Sequence, residues 1–122
     1  MPKVMIVDDD RTVTSLLKIL FEMDGYEVVN IARGRDLPEV AHSENPDLIL
    51  MDVFLSDADG IKVLIDLRQT PELADIHVVM TSGMDLEEKC MASGANAFLL
   101  KPYTPDQLMK VIRENLPREK TS

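Results

Sequence analysis

Five short apolar runs alternate with five stretches of helical periodicity along the 122 residues. That alternation predicts an α/β fold, a doubly wound five-stranded parallel sheet with five helices and strand order 2-1-3-4-5. Two further observations support it. The first, third and fourth runs are unbroken and the second and fifth more mixed, which places three strands in the middle of a sheet covered on both faces and two at its edges. Charged and hydroxyl side chains also collect at the carboxyl ends of the runs, where an open parallel sheet forms its ligand crevice.

Each element follows from its local chemistry. Val4–Val7 is the first strand and runs into Asp8-Asp9-Asp10. Asp10 suits a helix N-cap, and Val13, Leu16, Leu17 and Leu20 recur at helical spacing until Gly25, placed where a left-handed residue closes a helix. Glu27–Ala32 is a mixed-polarity second strand, fitting an edge. A second helix over about Arg35–Ser43 tolerates Pro38 in its first turn, and Asn45-Pro46-Asp47 turns the chain into the third strand.

That strand, Leu48-Ile49-Leu50-Met51, ends on Asp52. A loop from Phe54 to Gly60 leads to a third helix carrying Ile61, Leu64, Ile65 and Leu67. His77–Ser82 is the fourth strand. Asp85-Leu86-Glu87-Glu88 opens a short fourth helix that must stop by Gly94, and Ala97–Leu100 is the fifth strand, ending at Lys101-Pro102. The last helix starts most clearly: Thr104 as N-cap, Pro105 first, Gln107 completing a capping box, then Leu108, Val111, Ile112 and Leu116 as its buried face. Residues 1–116 thus form one domain, and 117–122 read as a tail or linker stub.

Composition narrows the function classes. Hydrophobic residues make up 45% and charged residues 29%, which excludes a disordered chain and a membrane-embedded one. Only four apolar residues precede the aspartates, too few for a signal-peptide core or a spanning helix, so a cytoplasmic location is expected. A net charge of −9 would be repelled by phosphate backbones and anionic lipid, which argues against direct nucleic-acid or membrane binding. The lone Cys90 reads as a small buried hydrophobe.

With the strand ends side by side, Asp8, Asp9, Asp52, Thr81, Ser82 and Lys101 share one rim. Two carboxylates about 4 Å apart repel by roughly 4 kcal/mol at an effective dielectric near 20, so three need positive charge nearby. Lys101 supplies one unit. A divalent cation supplies the rest, and an all-oxygen donor set with open positions favours hydrated Mg²⁺ over zinc. An ionised carboxylate is already a nucleophile, so Asp52 can attack a phosphoryl group without a partner base and become an aspartyl phosphate. The cation, Lys101 and the Thr81 hydroxyl with nearby amides would each take one equatorial oxygen.

The acidic pair Asp8-Asp9, the strand-end Asp52 with Asp59-Gly60 downstream, Thr81, and Phe98-Leu99-Leu100-Lys101-Pro102 fall in order on those strand ends. In this the chain resembles, from Lys3 to Leu116, the receiver domain of two-component response regulators, which is a flavodoxin-like fold. The resemblance implies that a histidine kinase or phosphotransferase phosphorylates Asp52. It also implies that Asp9 binds Mg²⁺ directly, that Asp8 acts mainly through water, that the Phe54 carbonyl is a further ligand, and that the Lys101-Pro102 bond is cis. The output would be a downstream protein or a covalently linked output domain.

Departures from that pattern carry expectations too. Leu55-Ser56 stand where the family commonly has Met-Pro, so a more mobile loop around an intact site is expected. The stretch from Thr81 to Gly94 is a couple of residues short, which affects the partner face the family often builds from its fourth helix, fifth strand and fifth helix. On phosphorylation Thr81 would move inward and Phe98 would fill the space, making these the switch residues. Phe54 and Gly83 can neither orient a water at the phosphoryl group, so a fairly long-lived phosphoryl form is expected. Met84, Met91 and Tyr103 would suit a partner surface.

Other residues have plainer readings. Ser82 terminates a strand, and His42 and His77 have no partners in a site. Lys110, Arg113, Arg118 and Lys120 read as a solvated face. Asp57-Ala58-Asp59-Gly60 hints at a calcium loop, but Leu55 sits where its first ligand belongs. Two alternative functions are a Mg²⁺-dependent phosphohydrolase with Asp52 as nucleophile and a phosphate-independent scaffold. Phe54, standing where such hydrolases usually place an acid/base aspartate, weighs against the first. The complete residue set weighs against the second.

Overall fold

The computed structural model describes residues 1–117, so Arg118 and Lys120 and most of the expected tail lie outside the described residues. The elements run β1 (Lys3–Val7), α1 (Arg11–Met23), β2 (Glu27–Ile31), α2 (Leu37–Glu44), β3 (Leu48–Asp52), α3 (Gly60–Arg68), β4 (His77–Ser82), α4 (Glu87–Ala92), β5 (Ala97–Leu100) and α5 (Pro105–Asn115). All four strand pairings are parallel and the sheet order is β2-β1-β3-β4-β5. β1, β3 and β4 are therefore the inner strands.

Alternation along those strands divides the core in two. Met5, Val7, Ile49, Met51, Val78 and Met80 face one way and pack with Leu37, Ala41, Leu64, Leu67 and Cys90 from α2, α3 and α4. Val4, Ile6, Leu48, Leu50 and Val79 face the other way, against Leu17, Phe21, Leu108 and Ile112 from α1 and α5. Each fully buried aliphatic side chain contributes about 1.5–3 kcal/mol, so an unbroken apolar run is stabilised on both sides at once.

Caps set the helix ends. The Asp10 carboxylate accepts hydrogen bonds from Thr12 N and Val13 N, and Gly25 follows α1 at φ +88°. Thr104 and Gln107 form the reciprocal capping box that opens α5. Three expectations shift. A 3₁₀ turn over Gly34–Asp36 precedes α2, which begins only at Leu37, and α4 begins at Glu87 rather than Asp85. Leu16 does not join the core: it is 57% exposed, with Ile19 and Met23 also exposed. The buried arc of α1 is centred on Thr14, Leu17 and Phe21, and at about 100° per residue Leu16 falls well outside it.

Candidate phosphoryl-acceptor site

The register of the sheet brings the site together. Asp52 is the last residue of β3 and pairs with Thr81 on β4, while Thr81 pairs with Leu99 on β5, two residues before Lys101. Asp8 leaves β1 with its amide bonded to the Ile31 carbonyl. Lys101 is held by its own amide, which donates to the Ser82 carbonyl at 2.8 Å. Its peptide bond to Pro102 is cis.

The Lys101 ammonium stands between two carboxylates. It donates to Asp52 Oδ2 at 2.7 Å and lies 3.8 Å from Asp8 Oδ2. The second oxygen of Asp52 accepts from the Phe54 amide at 3.0 Å, and the Asp10 amide donates to Asp8 Oδ1 at 2.9 Å. Both acids thus have one oxygen held by backbone and one turned toward the ammonium.

Charge and burial pull against each other here. Burial, the largest influence on Asp8, pushes its carboxyl above the usual aspartate range; the Asp10 amide and Lys101 only partly offset it, and Asp52 and Asp9 add to it. Burial also works against the Lys101 ammonium, but the hydrogen bond and charge of Asp52, with the charge of Asp8, outweigh it and hold Lys101 above its ordinary value. One lysine therefore neutralises only part of the rim.

Thr81 is buried beside Asp52, and its hydroxyl donates to the Leu99 carbonyl at 2.8 Å, not to the acid. Ser82 accepts from the Met84 amide, which ties it to the start of the next loop. Phe98 is half-buried, in register with Met80 and packed against the core under α4. Tyr103 is half-buried, and burial raises its phenol above its ordinary value.

Asp9 is exposed. Among the described residues no three side chains of His, Cys, Asp or Glu come together as a ready-made metal cage. What the rim offers is two carboxylates each held by a backbone amide and, near enough to act on Asp8 through its charge, Asp9, a partial oxygen set that needs water to complete it. That suits Mg²⁺, which keeps several waters and is held through one or two carboxylates. Asp8, 7% exposed and no closer than 3.8 Å to the Lys101 ammonium, is a buried acid short of positive charge that a cation at this point would answer.

The loop after Asp52 lacks the proline and carries several bonds. Val53 N donates to the Thr81 carbonyl, Phe54 and Asp59 form an antiparallel bridge, and Gly60 N donates to the Val53 carbonyl at 2.7 Å. The Asp57 carboxylate, reaching outside the loop, accepts from Gly34 N at 2.9 Å and Arg35 N at 3.1 Å. The Arg35 amide chiefly, with that of Gly34, holds the Asp57 carboxyl below its ordinary range. Asp59 accepts from Ile61 N as the α3 N-cap, so these two acids serve backbone amides instead of forming a calcium loop.

Sequence reasoning missed Asp57, whose partners lie more than twenty residues away, and Arg68, which donates to the Gly94, Ala74 and Ile76 carbonyls and to Asn96 Oδ1. Cys90 is fully buried, which raises its thiol. Among the described residues the His77 ring meets the Asn115 carbonyl, and Met84 and Met91 are exposed.

Known proteins sharpen this picture. A family model described as the response regulator receiver domain matches residues 4–113. The chain is 34% identical over 121 residues to the DNA-binding dual master transcriptional regulator RpaA of Synechocystis sp., covering 97% of this chain and 50% of that protein. It is 30% identical to the phosphate regulon transcriptional regulatory protein PhoB of Rhizobium meliloti, covering 98% and 54%. The chain therefore spans about half the length of these relatives. Among solved structures, the BeF3-activated N-terminal receiver domain of RstA from Klebsiella pneumoniae superposes with a TM-score of 0.88 at 28% identity, covering 95% of this chain and 99% of that one. The chemotaxis response regulator CheY4 of Vibrio cholerae gives 0.88 at 26%, with the same coverages. With the family model matching most of its length and the same sheet order carrying the acidic rim, the chain belongs to the response regulator receiver domain family.

Proposed function

We propose that this receiver domain takes a phosphoryl group onto Asp52 from the phosphohistidine of a histidine kinase or phosphotransferase, and that this changes a partner-binding surface. The observation that carries the reading is the Asp52 carboxylate held between the Lys101 ammonium at 2.7 Å and the Phe54 amide at 3.0 Å. Those contacts orient the acid without needing a general base. A carboxylate oxygen forms the new P–O bond as the donor's P–N bond breaks, and the electron pair leaves with the imidazole nitrogen.

Lys101 then offsets charge on a phosphoryl oxygen. Asp8, Asp9, Asp52 and the Phe54 carbonyl would hold Mg²⁺, whose part is to screen the phosphoryl oxygens during transfer. The hydroxyl of Thr81, a residue in register with Asp52, is now given to Leu99 and would turn toward the new oxygens, and Phe98 would follow. The output is a separate protein or a linked output domain, as the transcriptional regulators among the relatives suggest. A cytoplasmic setting, where such donors act, fits the absence of any helix among the described residues long and apolar enough to cross a membrane.

Incubation with acetyl phosphate and Mg²⁺, read by intact-protein mass, tests the proposal. One phosphoryl group per chain is expected, lost in Asp52→Asn. Continuous phosphate release without a labelled form would instead favour a phosphohydrolase.

A further inference from the structure

The loop between Asp52 and α3 controls the main chain that faces the acceptor. Its Phe54 amide bonds Asp52 Oδ1, and the Phe54 carbonyl belongs to the same short turn. The loop is held by the Phe54–Asp59 bridge, the Gly60 N to Val53 carbonyl bond, the Asp59 cap on Ile61 N and the burial of Leu55. One carboxylate hydrogen-bonds across to the turn before α2. Asp57 places one oxygen on each of two successive amides, Gly34 N and Arg35 N, at the turn that leads into α2. Leu55 fits tightly beneath this junction: a Cβ on Gly34 would come within 2.9 Å of Leu55 Cδ1 and 3.2 Å of Ala58 Cβ. The loop has no proline to limit its torsions, so the Asp57 bonds replace covalent stiffness with a tether between two loops.

We propose that Asp57 is a positioning residue for the acceptor site: by fixing the 53–59 loop to Gly34 and Arg35, it holds the Phe54 main chain where Asp52 and a bound Mg²⁺ need it. The inference rests on the phosphoacceptor reading above. It assigns Asp57 no contact with the phosphoryl group or the cation. Its effect is on how often the Phe54 amide and carbonyl are in place, so it should appear in the affinity for Mg²⁺ more than in the rate once Mg²⁺ saturates.

The test uses the full chain with Asp57→Ala, Asp57→Asn and, as a control in the same loop, Ser56→Ala. Mg²⁺ affinity is measured by calorimetry, the Mg²⁺ dependence of labelling by acetyl phosphate by mass, and exchange of the Gly34 and Arg35 amides by NMR. Asp57→Ala should raise the Mg²⁺ dissociation constant about 10-fold, the low end of what outer-shell partners of metal ligands contribute. It should speed exchange at both amides and leave the labelling rate at saturating Mg²⁺ within about twofold of wild type. Asp57→Asn removes the same charge but keeps one acceptor oxygen, so it should fall between the two.

Equal weakening by Ala and Asn would mean that charge, not the tether, is responsible, and would overturn the proposal. So would unchanged Mg²⁺ affinity in a variant whose Gly34 and Arg35 amides exchange faster. A wild-type protein that neither binds Mg²⁺ nor takes up phosphoryl would sink the underlying reading, and the proposal with it. A wild type that does both while Asp57→Ala behaves identically sinks the proposal alone.

Discussion

Two partly buried cations sit in different parts of this fold and do opposite things. Lys101, after β5, faces the carboxylates Asp52 and Asp8. Arg68, at the end of α3, meets three neutral carbonyls and one side-chain amide oxygen. The ammonium is a point charge on a flexible stem, free to share itself among oxygens that come and go. The guanidinium is a planar fork, and its four bonds fix the 69–76 loop and the turn at Gly94 in one geometry. Their proton affinities move accordingly. Burial works against both, but Asp52 and Asp8 outweigh it and raise that of Lys101, whereas Asp75 only partly offsets it at Arg68, whose value is lowered. Charge that must respond is paired with charge, and charge that must stay put is paired with dipoles.

Exchanging the two roles by mutation would break the contrast. Lys101→Met should cut phosphoryl uptake from acetyl phosphate by about two orders of magnitude or more, the scale of losing a fixed donor to developing charge. Its urea midpoint should fall as Asp52 and Asp8 lose their cation, but by less than that of Arg68→Met, since the Lys101 side chain is 30% exposed and solvent reaches the pair. Arg68→Met should do the reverse: a loss of about 2–4 kcal/mol in urea unfolding, since several carbonyls lose a charged donor, with labelling below the melting range unchanged. If both variants lost stability alike, the division between a responsive and a fixed cation would fail.

A pH experiment sharpens the comparison from the acid side. Asp8 has a folded-state pKa above its unfolded value of 3.8, so its contribution to stability is fully present below that value and is lost as pH rises through the folded pKa. At neutral pH it therefore destabilises the metal-free fold. Asp8→Asn should raise the melting temperature by a few degrees at pH 7, and the gain should vanish once both states are protonated below about pH 3.8. A gain that persists in acid would mean that something other than ionisation separates the variants. The smallest effect concerns Phe54, 57% exposed at the rim. Phe54→Asn, able to orient a water, should speed phosphate loss about tenfold or less, the lower range of general acid–base assistance. An unchanged or slower loss would remove Phe54 as a reason for a long-lived phosphoryl form.

What could be read from sequence, and what could not, follows the range of the interactions. The strand order was legible because burial on two faces demands unbroken apolar runs, as in Leu48–Met51, while one-sided strands such as Glu27–Ile31 stay mixed. The α5 start was legible because Thr104, Pro105 and Gln107 interact within one turn. The convergence of Asp8, Asp52 and Lys101 followed from the sheet order alone. Leu16 misled because periodicity marks an apolar stripe without saying how wide an arc the sheet will cover. Asp57 and Arg68 were illegible because each bonds backbone groups, and backbone amides and carbonyls leave no mark in the sequence of their partners.

The glycine at the start of α3 sets a limit on how this chain can be altered. A Cβ at Gly60 would lie 2.3 Å from the Asp52 carbonyl oxygen and 2.9 Å from Val53 Cα. Helix and β3 therefore meet with no side chain between them, like two planks butted without a gasket. Even one added methyl group would have to lever the strand end itself, so a change at a residue with no chemistry of its own would be felt at the Asp52 carboxylate.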